Sequence, residues 1–200
     1  NQGAVCDGGT RLLLERRIHD AFLEKLIAKT ETLTVGDPMT DVHLGPIISE
    51  EQGKRILQYI EAGKQEAALV TGGRRLRGGI YDGGCYIEPT IFDGVGRKAR
   101  IAQEEIFGPI IPMQPFKTLD EAIEKANNTI YGLSSYFFGH NAKEISKAFE
   151  GMEAGEIFIN GSGGTEQVPH AGVKQSGVGC DKSPWSLEEY FDFKYCAMIP

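Results

Sequence analysis

No two cysteines in this chain are spaced for a metal or a redox pair. Cys6, Cys85, Cys180 and Cys196 lie far apart, with no Cys-x-x-Cys and no histidine paired with them in a zinc pattern. His19, His43, His140 and His170 are equally scattered, so no metal is expected. Unpaired thiols of this kind read as reduced and point to a cytoplasmic protein. No apolar run is long enough to cross a bilayer, and no charged-then-apolar leader opens the chain, so no membrane association is expected. The first residue is not methionine, and the chain is expected to be a piece of a longer protein. Basic residues are outnumbered, 21 Lys and Arg against 28 Asp and Glu, and the net charge of −7 argues against a nucleic-acid partner. The one basic cluster, Arg74-Arg75-Leu76-Arg77, is short and glycine-flanked and reads as a solvated turn. No strand is followed by Gly-x-Gly-x-x-Gly and there is no Gly-x4-Gly-Lys-Ser/Thr, so a phosphate loop is absent. Internal repeats and low-complexity tracts are also missing.

What remains is a 200-residue chain of ordinary globular composition, long enough to bury a core. Its first stretch, Asn1-Gln2-Gly3-Ala4-Val5-Cys6, delivers a thiol between glycines on one side and Asp7-Gly8-Gly9 on the other. Glycine lets backbone N–H groups approach whatever the sulfur touches. A thiol so placed can attack a carbonyl while a nearby amide holds the oxygen that becomes negative. Read without context, the same residue is a buried, inert cysteine, as most lone cysteines are.

The rest alternates. Leu12-Leu13-Leu14 predicts a buried strand, and Ile18, Phe22 and Leu26, with Leu23 and Ile27, predict a helix with one apolar face. Ser49 and Gln52 form a capping box that opens a helix burying Ile56, Leu57 and Ile60. Ala67–Val70 reads as a strand, and the glycine-rich stretch to Gly84 as a surface excursion. Pro89 makes any strand in 86–92 broken or peripheral. Ile110–Phe116 is a strand, and Thr118 with Glu121 caps a helix with Leu119, Ala122, Ile123 and Ala126 inward. Ser135–Phe138 is a strand. Asn141 with Glu144 caps a helix whose expected inner face is Ile145, Ala148 and Phe149, and Glu156–Ile159 is a further strand. Strands alternating with capped helices predict an α/β fold with a mainly parallel sheet and flanking helices. The polar, glycine-rich segment 161–179 follows a strand and reads as a ligand-bearing loop. Residues 190–198 alternate apolar and charged, which predicts a C-terminal strand. It completes either this chain's own sheet or that of a second subunit.

Six blocks, in order, resemble the catalytic half of the NAD(P)-dependent aldehyde dehydrogenase superfamily. They are Asn1-Gln2-Gly3-Ala4-Val5-Cys6, Gly45-Pro46-Ile47-Ile48, Glu88-Pro89-Thr90-Ile91-Phe92, Glu104-Glu105-Ile106-Phe107-Gly108-Pro109, Asn127-Asn128-Thr129-Ile130-Tyr131-Gly132-Leu133-Ser134, and Lys174-Gln175-Ser176-Gly177-Val178-Gly179. The resemblance implies that residues 1–187 are a catalytic domain whose cofactor-binding half lies upstream, and that 188–200 are an oligomerisation arm of a homodimer or homotetramer. It implies oxidation of a small-molecule aldehyde to a carboxylic acid, with Cys6 as nucleophile and NAD or NADP as oxidant. It carries a ribose-binding carboxylate to Glu105, a ring against the nicotinamide to Phe107, and a ribose contact to Gln52, unless Gln52 is instead the capping-box partner of Ser49. His170, in Pro169-His170-Ala171-Gly172, stands where the family has a phenylalanine, and is expected to line a more polar aldehyde pocket or else to face solvent. Ala4 replaces the signature's usual glutamine, and Cys180-Asp181-Lys182 replaces the usual Arg-Glu. The family's general-base glutamate and oxyanion asparagine precede the signature, so this chain alone is expected to be inactive. Two other classes compete: a hydrolase or acyl transferase in which a histidine activates Cys6, and a non-catalytic oligomerisation module.

Overall fold

A computed structural model describes all residues, Asn1–Pro200. In chain order the elements are β1 (Leu12–Glu15), α1 (His19–Glu31), α2 (Glu50–Glu66), β2 (Ala68–Thr71), β3 (Thr90–Asp93), α3 (Arg100–Gln103), β4 (Ile110–Phe116), α4 (Leu119–Asn127), β5 (Ser134–Phe137), α5 (Ala142–Gly151) and β6 (Glu156–Ile159). Short 3-10 turns occupy Gly79–Gly83, Lys174–Ser176 and Pro184–Tyr190. The chain forms two compact units, Asn1–Asn128 and Thr129–Pro200.

The first unit is built on a four-stranded sheet of order β1-β4-β3-β2. β1 and β3 run parallel to β4, and only β2 is antiparallel, against β3. β4 is offset: Ile110–Pro112 pair with β3 and Met113–Phe116 with β1. Each half of β4 therefore has one neighbour, and that lets a strand carrying Pro112 and Pro115 sit in the middle of the sheet. Pro89 has the expected consequence. Residues 85–92 make isolated bridges at Cys85 and Ile87 before β3 begins at Thr90.

α2 explains most of the core. Ser49 Oγ accepts from Gln52 N at 3.1 Å and so caps the helix. Gly53, Ile56, Ile60 and Gly63 recur at helical spacing and are buried. Ile56 and Ile60 are wholly buried, in a cluster with Tyr59, Cys85, Ile87, Phe92, Ile101, Ile106 and Ile110. The two glycines let the helix lie close on the sheet: a Cβ on Gly63 would stand 2.6 Å from the Phe92 ring, and one on Gly53 2.1 Å from Cys85 Sγ. Arg75 is not a solvated turn residue. Its guanidinium pairs with both oxygens of Glu50, one bond at 2.6 Å, and donates to Gly84 O, tying the segment after β2 to the start of α2.

α1 departs from expectation. None of its residues is buried, and Ile18 and Phe22, placed on its inner face by periodicity, are exposed. What holds its first turn is polar: His19 meets Asp20 (2.8 Å) and Asp93 at the end of β3 (3.0 Å).

The second unit holds a two-stranded parallel sheet, β5-β6, with α5 as its crossover. Asn141 Oδ1 accepts from Lys143 N and Glu144 N to start α5. Ala148 is buried as expected, but Phe149 is exposed, because the helix rotates it away from a sheet too narrow to cover it. Tyr136 and Phe158 stack across the two strands at 5.0 Å. Beyond Tyr190 no strand forms. Residues 191–200 have no ladder within this chain, and Phe193, Tyr195, Met198 and Ile199 are almost fully exposed. No helix is long and apolar enough to cross a membrane.

Candidate active site

Parallel pairing of β1 with β4 brings together the segments that precede them. Before β1 comes the turn bearing Cys6; before β4 comes the segment Glu104–Pro109. The two touch. Gly3, in the left-handed region at φ +75°, lies so close that a Cβ there would stand 2.3 Å from Gly108 O and 3.3 Å from Pro109 N. Only glycine permits that approach. Gln2 adds a second tie by donating its amide to Pro46 O at 2.8 Å. Three of the blocks that carried the resemblance therefore meet in space.

The turn itself is short: Ala4 N donates to Asn1 O at 2.7 Å, and Asn1 Nδ2 donates back to Ala4 O at 3.0 Å. Cys6 is exposed and unpaired. Neither its sulfur nor its N–H is engaged in a hydrogen bond, so both are free for a ligand. Cys85 differs in kind: it is buried under α2, and burial pushes its thiol above the ordinary range.

On the other side of the contact, the Glu104–Phe107 segment is gripped by one face of α2. Gln52 Nε2 donates to Ile106 O (3.2 Å) and Phe107 O (3.0 Å). Arg55 Nη2 donates to Glu105 O (3.0 Å). Tyr59 OH donates to Glu104 Oε2 (2.8 Å), and Arg100 holds the same carboxylate from α3 at 3.0 and 3.1 Å. Arg100 also lies over the Tyr59 ring, 4.7 Å from its centroid. Glu104 is held below the usual carboxylate range first by the Arg100 hydrogen bond and then by Tyr59. Its neighbour Glu105 is exposed as well, but no hydrogen bond reaches its carboxylate. Phe107 is half-buried and sits at φ +57°. Gln52 thus caps nothing with its side chain. The capping box is half-formed, Ser49 playing its part while Gln52 turns to Ile106 and Phe107.

His170 lies in the second unit. Its backbone bridges Asp181 in both directions, at 2.8 and 3.0 Å, and its Nδ1 meets Glu156 Oε1 at 3.0 Å. The imidazole is a fixed, mostly buried group rather than a loop side chain in water. The other oxygen of Glu156 is buried without a partner.

Arg55, Tyr59 and Arg100 have no sequence signal of their own. The only trace is the spacing 52, 55, 59 on one helix face beside the buried stripe, legible once that stripe is known.

The aldehyde dehydrogenase family model matches residues 1–196. The chain belongs to that family. The betaine aldehyde dehydrogenase of Mesorhizobium japonicum is 36% identical over 197 residues, covering 96% of this chain and 40% of its own. Among solved structures, the indole-3-acetaldehyde dehydrogenase AldA of P. syringae, in complex with NAD+, superposes at a TM-score of 0.92 with 40% identity, over 96% of this chain and 39% of that one. A 3,6-anhydro-L-galactose dehydrogenase in complex with NADP superposes at 0.91 with 33% identity, over 94% and 40%. This family member thus spans about two-fifths of the length of the relatives it matches.

Proposed function

We propose that this chain is the catalytic part of an NAD(P)-dependent aldehyde dehydrogenase, with Cys6 as nucleophile. The observation that carries the reading is the contact of Gly3 with Gly108 and Pro109, which ties the turn bearing the exposed Cys6 to the end of the segment that carries Glu105 and Phe107. Names of relatives and ligands of solved neighbours agree in class, an aldehyde and a nicotinamide dinucleotide.

The residues fit the cofactor. Glu105 offers an exposed carboxylate with no internal hydrogen bond, suited to two ribose hydroxyls, and Phe107 offers a half-buried ring. When bound, NAD(P)+ supplies the hydride acceptor that turns the Cys6 adduct into a thioester. Cys6 acts as thiolate, its sulfur forming the bond to the aldehyde carbon as the carbonyl π electrons move onto oxygen. The free Cys6 N–H is available to hold that oxygen. Water then cleaves the Cys6 thioester, releasing the carboxylic acid and restoring the thiol. The resemblance assigns the activating glutamate and a second oxyanion donor to positions ahead of Asn1, so the 200 residues alone turn over little or no aldehyde. The soluble protein works in the cytoplasm as a homo-oligomer.

The test is chemical. Near neutral pH in the full-length protein, iodoacetamide alkylates Cys6 at least about tenfold faster than Cys85, and Cys6→Ala abolishes aldehyde oxidation. Equal labelling of the two thiols, or oxidation that survives Cys6→Ala, contradicts the reading.

A further inference from the structure

Two non-glycine residues of the site have a positive φ, Gln2 at +52° and the bulkier Phe107. At φ +57° Phe107 occupies the left-handed region, which bulky side chains rarely adopt and keep only where their surroundings hold them. The surroundings here are specific. In a helical turn of either hand, successive carbonyls point to the same side; in an extended chain they alternate. A left-handed Phe107 therefore aims the Ile106 and Phe107 carbonyls in one direction, and a single amide nitrogen with two hydrogens can satisfy both. Gln52 Nε2 does so at 3.2 and 3.0 Å. Its own backbone is fixed by the Ser49 cap, and the next buried residue on that helix face, Ile56, presses on Gly108, where a Cβ would stand 2.6 Å from Ile56 Cδ1. With both amide hydrogens engaged, Gln52 has no donor left for a ribose. Arg55 and Tyr59 extend the same face to the Glu105 carbonyl and the Glu104 carboxylate. The Glu105, Ile106 and Phe107 carbonyls and the Glu104 carboxylate are all held from α2, while the Glu105 carboxylate has no hydrogen bond.

We propose that Gln52 is a positioning residue: by holding the Ile106 and Phe107 carbonyls it keeps Phe107 left-handed and so fixes where the Glu105 carboxylate and the Phe107 ring stand for the dinucleotide. The functional half of this statement rests on the reading of Glu105 and Phe107 given above. The conformational half stands on the hydrogen bonds alone.

Two substitutions separate these halves. Gln52→Leu removes both donors. Gln52→Glu keeps the size, favours a helix's first turn, and faces the two carbonyls with a carboxylate that cannot donate. In the cofactor-free full-length protein, hydrogen exchange across 104–109 becomes about tenfold faster in both variants, as expected for losing one or two hydrogen bonds, while exchange in β3 is unchanged. The dissociation constant for NAD+ rises about tenfold in the same variants. Unchanged exchange across 104–109 in both variants overturns the proposal. Faster exchange with unchanged NAD+ affinity overturns its functional half. If Glu105→Ala and Phe107→Ala also leave NAD+ affinity unchanged, the dinucleotide reading of the segment falls as well, while the exchange result still decides whether Gln52 holds the turn.

Discussion

At the scale of single residues, the chain separates groups of like chemistry by environment. Cys6 and Cys85 are both thiols; one stands in the open with a free amide beside it, the other is sealed beneath a helix and pushed away from ionisation. Glu104 and Glu105 are adjacent carboxylates; one is tied down by Arg100 and Tyr59, the other faces outward. In each pair the free member is the one assigned to function, and the bound one holds the scaffold. His19 shows a further residue-scale effect. Hydrogen bonds from its ring nitrogens to Asp20 first, then to Asp93, raise its affinity for a proton above the ordinary imidazole value. A raised folded value means stability fully present below about pH 6.5 and lost as pH rises through the folded value. His19→Gln is therefore expected to lower the melting temperature at about pH 6 and to have little effect at about pH 9. A melting difference that is constant across that range contradicts the assignment of His19 as a charged tie between α1 and β3.

At the scale of elements, α2 does two jobs with two adjacent stripes. Gly53, Ile56, Ile60 and Gly63 lie against the sheet, while Gln52, Arg55 and Tyr59 grip the segment before β4. Closeness is what joins them, and closeness depends on the glycines. Gly53→Ala puts a Cβ against Cys85 Sγ and is expected to destabilise by about 1–3 kcal/mol despite alanine's better helix propensity. Adding Cys85→Ala removes the sulfur it meets and should recover part of the loss, as denaturant titration of the single and double variants would show. If the double variant is less stable than Gly53→Ala alone, the close approach of α2 is not what Gly53 secures.

The elements were legible where local chemistry sufficed. Ser49, Thr118 and Asn141 cap helices that begin where their oxygens predict. Pro89 breaks its strand as expected. The failures share a cause. Ile18, Phe22 and Phe149 repeat at helical spacing, but periodicity says only that a face is apolar, not what covers it. Gln52 fitted a capping box so well that its amide's true partners, 54 and 55 residues away, left no local sign. The contact of Gly3 with Gly108 follows from strand order, which no motif in the chain encodes. The site's blocks could be named from sequence; their meeting had to be seen.

At the scale of the molecule, residues 191–200 keep the alternation of a strand without a neighbour to pair with. Phe193 and Tyr195, on one side of that alternation, are almost fully exposed. In the proposed homo-oligomer, a second copy would give that apolar segment a symmetric partner. Removing 191–200 from the full-length protein should lower its oligomeric state by light scattering. An unchanged mass would assign subunit contact to another surface.

The central claim is covalent. Full-length protein mixed with an aldehyde and NAD+, quenched in acid within the first turnover and digested, should show one peptide heavier by an acyl group. The account predicts that peptide to be the one containing Cys6. An acyl group on Cys85, Cys180 or Cys196, or oxidised product formed with no acylated cysteine at any time, would contradict it.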